Sequence, residues 1–465
     1  VDEDRLGRAV LTGSAERRLP VRGCRCPNCL RALGSGADRA PTLDGAGSGW
    51  SRRSGLVLPG VLSVDGEVDG EVAGGPDTPS AATPAPPADP LPRLTTTRPD
   101  RDPSAKGARW LAAGDRAEFG EVRVIALPAG TAEGAVDPDR VVLVLGGGPD
   151  VLLWASGSGP LPEVTLQALE GAGLGAAVLD ARTGPTDDAD RQPDPQPDPQ
   201  PDPQLNPPLE PAPDDLPLGP AHQVARLRRI GALARGARLV VVGLPHDGPA
   251  PSRFAAAAAA WGVDVLPDGT PLAACRASAP ALPLRTVVLG AGASGKSLVA
   301  ESLLAALPEV VYVATGPAPD GADPAWTARV QAHRNRRPAW WQTVEGVDLT
   351  DLLARSGPPL LVDSLGTWLA AAMDQAGCWQ DRPGWPEALR RRTEELVVAW
   401  RQAARPAVAV AEEVGWGVVP ATASGGRFRD ALGRLNRRIC AGSERVLLVV
   451  AGRTVDLDVV LEGRG

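Results

Sequence analysis

The chain has 465 residues, 43% of them hydrophobic, and a formal net charge of −8. That length accommodates two or more domains, each with its own core, and the acidic balance leaves no basic footprint for nucleic acid. The longest apolar run, FAAAAAAWGV, is too short and too alanine-rich to span a bilayer, and six cysteines in so long a chain do not make a disulfide framework. The opening residues VDEDRLGR lack the apolar run of a signal peptide, so a cytoplasmic protein is expected. The initial Val implies a start upstream or an unusual codon.

In chain order, AVLTGSAERRLPVRGCRCPNCLRAL comes first and carries Cys24, Cys26 and Cys29 as C-x-C-x2-C. Such a thiolate cluster suggests a structural zinc that needs a fourth ligand. Residues 66–106 and 186–220, the latter containing QPDPQPDPQPDPQ, read as extended, solvated insertions, because proline at such density forbids helix and sheet. Between them VRVIALPA, RVVLVLGG and DVLLWAS read as strands, LPEVTLQALEGAG as a helix and AAVLDA as a strand. After the second insertion AHQVARLRRIGALARG reads as a helix, RLVVVGL as a strand, APSRFAAAAAAWG as a helix and VDVLP as a strand. His222 is placed at a helix start.

A linker is expected over residues 274–284, and a new unit over 285–465. There strands TVVLGA, VVYVAT, PPLLVDSLG, AVAVAEEVG and RVLLVVAG alternate with helices SLVAESLLAAL, ALRRRTEELVVAWRQAA and RFRDALGRLNRRICAG. Short, continuously apolar strands between helices predict a mainly parallel sheet covered on both faces.

The first strand and helix of this unit flank Gly290-Ala-Gly-Ala-Ser-Gly295-Lys296-Ser297, which fits G-x4-G-K-S. Glycines let the backbone N–H groups curl toward phosphate oxygens, and the helix adds its positive end. Lys296 is the point charge for the β- and γ-phosphates, and the Ser297 hydroxyl suits Mg²⁺. The chain has two lysines among its 48 basic residues, Lys106 and Lys296. A compact ammonium persists where a planar guanidinium substitutes poorly. Asp363 ends an apolar strand, where it either holds the Mg²⁺ shell or caps the next helix. His333 lies in ARVQAHRNRRPAWWQTVE, among Arg329, Arg334, Arg336 and Arg337. It reads either as a nucleophile toward phosphorus, with guanidinium groups holding the phosphates, or as a surface residue of a solvated basic helix.

With these motifs in order (GAGASGKS, VVYVATG, ARVQAHRNRRPAWWQTVE, LLVDSLGTWL, EEVGWGVVP and RFRDALGRLNRRIC), residues 285–462 resemble the bifunctional adenosylcobinamide kinase / adenosylcobinamide-phosphate guanylyltransferases of cobalamin assembly. The resemblance implies a P-loop α/β domain, often a homotrimer. It also implies phosphorylation of the aminopropanol hydroxyl of adenosylcobinamide by ATP or GTP with Mg²⁺. GMP is then transferred from GTP to the resulting phosphate through a guanylylated histidine, here His333. Gly290, Gly295, Lys296 and Ser297 would hold the triphosphate. Ala314, Thr315, Gly316, Arg334, Asn335, Arg336, Arg337, Glu345 and Asp363 match positions lining the nucleotide site. The chain departs from the family pattern at Ala293 (usually Arg), Glu412 (usually Asn), Gly366 (usually Thr) and Asp323-Pro-Ala-Trp326 (usually Asp-Glu-Met at its start).

Residues 1–273 resemble metallo-β-lactamase-fold hydrolases of the phosphodiesterase type, an αββα architecture in which a similar cysteine cluster follows the first strand. The H-x-H-x-D-H run of the active members is missing, and glycines stand near the expected bridging Asp (Gly157) and a ligand His (Gly243). The resemblance therefore implies a catalytically dead domain that keeps a structural zinc on Cys24, Cys26, Cys29 and His246. The alternative to the enzyme is a zinc-stabilised scaffold that binds nucleotide without transferase activity.

Overall fold

The computed structural model describes residues 10–12, 55–58, 62–64, 93–96, 108–131, 133–146, 151–181, 218–244, 251–266, 272, 282–318, 324–345 and 348–458. Cys24, Cys26, Cys29 and His246, and the two proline-rich insertions apart from residues 93–96 and 218–220, lie outside them. The chain divides into two compact units, with the boundary between Pro280 and Ala281.

In the first unit β1 (Val10–Thr12), β2 (Gly55–Leu58), β3 (Leu62–Val64), β4 (Arg93–Thr95) and β5 (Arg109–Trp110) make one sheet in sequence order. β6 (Arg116–Phe119), β7 (Val122–Gly130), β8 (Val136–Gly146), β9 (Val151–Ala155), β10 (Leu174–Asp180) and β11 (Leu233–Val242) make a second sheet, also in sequence order. The pairings β6 to β9 are antiparallel; β9, β10 and β11 run parallel. The parallel pairs need crossovers, supplied by the helices α1 (Glu163–Leu169) and α2 (Gly219–Arg229); α3 (Pro251–Trp261) follows β11. The helix expected over AHQVARLRRIGALARG is shorter than its apolar spacing suggests. Gly231 turns the chain at φ +64°, and from Leu233 the residues pair with β10. The strand expected at VDVLP is a single bridge between Asp264 and Val240.

The second unit runs β12 (Arg285–Gly290), α4 (Lys296–Leu304), β13 (Val311–Ala314), α5 (Pro324–Arg336), β14 (Gln342–Glu345), α6 (Leu349–Ala354), β15 (Leu360–Asp363), α7 (Leu365–Ala376), α8 (Trp385–Arg401), β16 (Ala407–Glu412), α9 (Ala423–Cys440), β17 (Arg445–Val450) and β18 (Arg453–Asp456). The sheet order is β14-β13-β15-β16-β12-β17-β18, parallel except for β18 at the edge.

The alternation of a strand's side chains splits this sheet's apolar residues between two cores. Val287, Leu289, Val313, Leu360, Val362, Ala407 and Ala409 face one cluster with Trp368, Leu396, Trp400 and Leu435 of α7, α8 and α9. Val288, Tyr312, Leu361, Val408 and Val410 face the other, with Ala300 and Leu304 of α4. Both faces are thus covered by helices, which is why the strands read as continuous apolar runs. In this topology the carboxyl ends of β12, β13, β15 and β16 share one edge. Gly290 pairs with Glu412, and Ala314 with Asp363. In open parallel sheets that edge is where ligands bind.

Candidate functional site

At the end of β12 the chain turns through residues 291–295 into α4. A Cβ at Gly290 would lie 2.4 Å from Ser294 Oγ and 2.9 Å from the Val449 carbonyl, so the tight turn requires glycine there. Gly295, at φ +90°, occupies the left-handed N-cap of α4. The Gly452 N–H donates to the Ser294 carbonyl at 3.0 Å and pins the loop from β17's side. Lys296 is 4% exposed. Its Nζ is 3.4 Å from the Ala291 carbonyl within the loop and 3.8 Å from Glu412 Oε1.

Asp363 closes β15 beside the loop. Its carboxylate accepts a hydrogen bond from Tyr312 at 2.8 Å, and its Oδ2 lies 3.5 Å from His333 Nδ1 on α5. Burial pushes this carboxyl up, but the polar groups around it, His333, Tyr312 and Ser297, outweigh burial and hold it below the ordinary Asp value. Ser297 lies in the first turn of α4, at the sheet edge where Asp363 ends β15, so a hydroxyl and a carboxylate are offered on the same side of the sheet. Asp363 does not cap α7. Ser364 does, accepting from the Thr367 N–H while Thr367 Oγ1 accepts from the Ser364 N–H, a capping box.

His333 is half-buried, and its carbonyl accepts from Arg337 Nε at 2.9 Å. The Arg337 guanidinium stacks 3.7 Å over the Tyr312 ring, and its burial lowers its pKa. Three further polar residues of α5 point elsewhere. Arg334 pairs with Glu345 at 2.8 Å, Asn335 accepts from Gln331 at 2.7 Å, and Arg336 reaches Glu301 of α4 at 3.3 Å. Thr315 spends its hydroxyl on the Ser364 carbonyl and on Thr367 Oγ1, both at 2.6 Å. It thus fastens the end of β13, with Ala314 and Gly316 beside it, to the cap of α7. Tyr312, Glu301 and Thr367 carry this arrangement although sequence reasoning singled none of them out. Tyr312 and Thr367 lie inside VVYVATG and LLVDSLGTWL, and Tyr312 is the single tyrosine of the chain, which are the signals the sequence offered.

Glu301 is 2% exposed, and burial raises its pKa although Arg336 opposes the shift. A carboxyl whose folded pKa is raised loses stability as pH climbs from its unfolded pKa, about 4.3, toward the folded one. Glu301→Gln is therefore expected to gain thermal stability relative to wild type between about pH 4 and pH 7. Arg336→Ala, which strands the carboxylate, is expected to lose about 2 kcal/mol at neutral pH. Thermal melts at the two pH values check both; a pH-independent difference for Glu301→Gln would contradict this account of Glu301.

In the N-terminal unit Asp180, at the end of β10, accepts the Gly157 N–H at 2.7 Å. A Cβ at Gly243 would lie 2.8 Å from its Oδ1. The two glycines that stand near expected ligand positions thus flank one buried carboxylate. His222 is 3% exposed inside α2, and burial lowers its pKa to about 4, so it is a neutral packed residue. Among the described residues no group of three or more His, Cys, Asp or Glu side chains is arranged to hold a metal, and no helix is long and apolar enough to cross a membrane.

Residues 286–457 match the family model described as cobinamide kinase / cobinamide phosphate guanyltransferase. The bifunctional adenosylcobalamin biosynthesis protein CobU of Salmonella typhimurium is 33% identical over 175 residues, 36% of this chain and 95% of that protein. CobP of Pseudomonas aeruginosa, also described as a bifunctional adenosylcobalamin biosynthesis protein, is 35% identical over 179 residues, 37% of this chain and 97% of that protein. The Zn²⁺-bound PqqB structure from Methylobacterium extorquens covers 56% of this chain and 98% of its own at 15% identity, but its TM-score of 0.30 carries no inference about fold. Two relatives above 30% identity, each spanned almost end to end, and a family model over the same residues place the C-terminal unit, and with it the chain, in the cobinamide kinase / cobinamide phosphate guanyltransferase family.

Proposed function

We infer that this protein phosphorylates adenosylcobinamide with ATP or GTP and then transfers GMP from GTP to the phosphate so formed, giving adenosylcobinamide-GDP. The observation that carries the reading is the convergence, at one sheet edge, of a lysine-bearing glycine loop with a histidine held by a carboxylate. A nucleotide's β- and γ-phosphates would lie against the N–H groups of residues 290–297, with Lys296 as their point charge. Catalysis of phosphoryl transfer then rests on positioning and on neutralising charge, and the substrate hydroxyl takes the γ-phosphoryl group in line.

In the second reaction a nitrogen of neutral His333 attacks the α-phosphorus of GTP. A P–N bond forms as the bond to pyrophosphate breaks. The phosphate of the corrinoid then attacks the same phosphorus, the P–N bond breaks, and the imidazole is regenerated. Asp363 and Tyr312 fix the ring's position, and the Arg337 guanidinium, stacked on Tyr312, completes the basic rim. The oxygen donors Ser297 and Asp363 fit Mg²⁺ and would hold it. When bound, that ion supplies charge neutralisation on the phosphates.

Several finer features belong to the same proposal. The N-terminal unit is a degenerate metallo-β-lactamase-like domain over 1–273, with a structural zinc on Cys24, Cys26, Cys29 and His246. The C-terminal unit assembles as a homotrimer in the cytoplasm. Incubation with adenosylcobinamide, ATP and GTP, followed by product chromatography, tests the activity: adenosylcobinamide phosphate and adenosylcobinamide-GDP are expected. Nucleotide binding with neither product would favour the non-catalytic scaffold.

A further inference from the structure

Glu412, the last residue of β16, is held from several directions. Asn436 Nδ2 donates to its backbone carbonyl at 3.0 Å, and the Glu413 N–H donates to the Gly290 carbonyl at 3.0 Å. Its Oε2 accepts from Ser364 Oγ at 3.0 Å and from the Gly366 N–H, an otherwise unbonded donor in the first turn of α7, at 3.1 Å. Its Oε1 faces Lys296 Nζ at 3.8 Å. The space it fills exists because residue 366 is glycine: a Cβ there would lie 2.2 Å from Oε2. A lysine removed this far from water needs a counter-charge, and among the described residues Glu412 is the carboxylate paired with it.

We propose that Glu412 is a positioning residue that occupies Lys296 in the nucleotide-free site, so that an incoming triphosphate must compete with a carboxylate for the ammonium. Gly366 is the vacancy that admits it. The proposal rests on the reading of Lys296 as a phosphate ligand for its consequence, but not for the pair itself. The carboxylate stands in for the anion while the site is empty and sets the threshold at which polyphosphate wins. Because its negative charge remains near the phosphates, it opposes ligands in proportion to the charge they bring to Lys296. GTP is therefore penalised more than GMP, which lacks β- and γ-phosphates.

The test uses the full chain and two variants. Glu412→Gln keeps acceptors for Ser364 and Gly366 but removes the charge. Gly366→Ala keeps every charge but pushes the carboxylate out; melting curves confirm that each is folded. Mg²⁺·GTP is expected to bind at least about fivefold tighter to both variants, with GMP affinity unchanged. No gain for GTP, or an equal gain for GMP, would overturn the proposal. A second readout needs no nucleotide. With only two lysines in the chain, acetylation by an N-hydroxysuccinimide ester can be followed at Lys296, with Lys106 as the internal reference. The Lys296/Lys106 labelling ratio is expected to rise severalfold in both variants, and an unchanged ratio would overturn the pairing. If no form binds GTP, the nucleotide-site reading falls while the labelling ratio still decides whether Glu412 holds Lys296.

Discussion

Lys296→Ala is expected to lower both phosphorylation of adenosylcobinamide and guanylyl transfer by about 10²–10³-fold, the scale on which a pre-positioned charge stabilises a transition state. Both reactions use a triphosphate seated in the same loop, so they should fall together. The fold should survive, because Lys296 lies at the first turn of α4 and makes one long hydrogen bond, to the Ala291 carbonyl, and one pairing, with Glu412. Lys296→Arg should rescue little. The loop has no room for a side chain at Gly290, where a Cβ would lie 2.4 Å from Ser294 Oγ, and a planar guanidinium is a poor substitute for a compact ammonium in that loop. Steady-state rates for each half-reaction check this; a variant that lost one activity alone would mean that the two reactions use different phosphate sites.

His333→Ala should separate the two activities. The transfer of GMP is expected to fall by more than about 10⁴-fold, as when a covalent nucleophile is removed. Phosphorylation, which needs no bond to the imidazole, should change by less than about threefold. The residual kinase activity excludes misfolding as the cause. Loss of both activities would instead make His333 a residue that shapes the nucleotide site through Asp363.

Much of the C-terminal unit was legible because its signals are local. The phosphate loop is one turn whose backbone demands fall on consecutive residues, and Gly290 and Gly295 answer them. The strands β12, β13, β15 and β16 were readable as apolar runs because both faces of the sheet are covered. Two kinds of feature were not. Short or exposed elements such as α6, at six residues, and β18 at the sheet edge carry too little pattern. Pairings across long separations, such as Tyr312 with Asp363, 51 residues apart, leave no trace in spacing.

The basic run after His333 shows the same limit. Its charges look alike in sequence, yet α5 sends Arg334 to Glu345 and Arg336 to Glu301, because residues two apart leave a helix in different directions, and Arg337, just past the helix end, stacks on Tyr312. In the N-terminal unit the helix expected through Gly236 ended at Arg229. There, the pairing of Leu233 with Leu174 outweighed local helix preference.

The central claim is that the imidazole of His333 becomes bonded to GMP during turnover. The most direct measurement is to mix the protein with GTP alone, remove nucleotide and pyrophosphate, and locate any added GMP by mass spectrometry of proteolytic fragments. The account predicts one GMP per chain, on the fragment containing His333, labile to acid and discharged by adenosylcobinamide phosphate. An adduct on Lys296, or none while adenosylcobinamide-GDP is still formed, would contradict it.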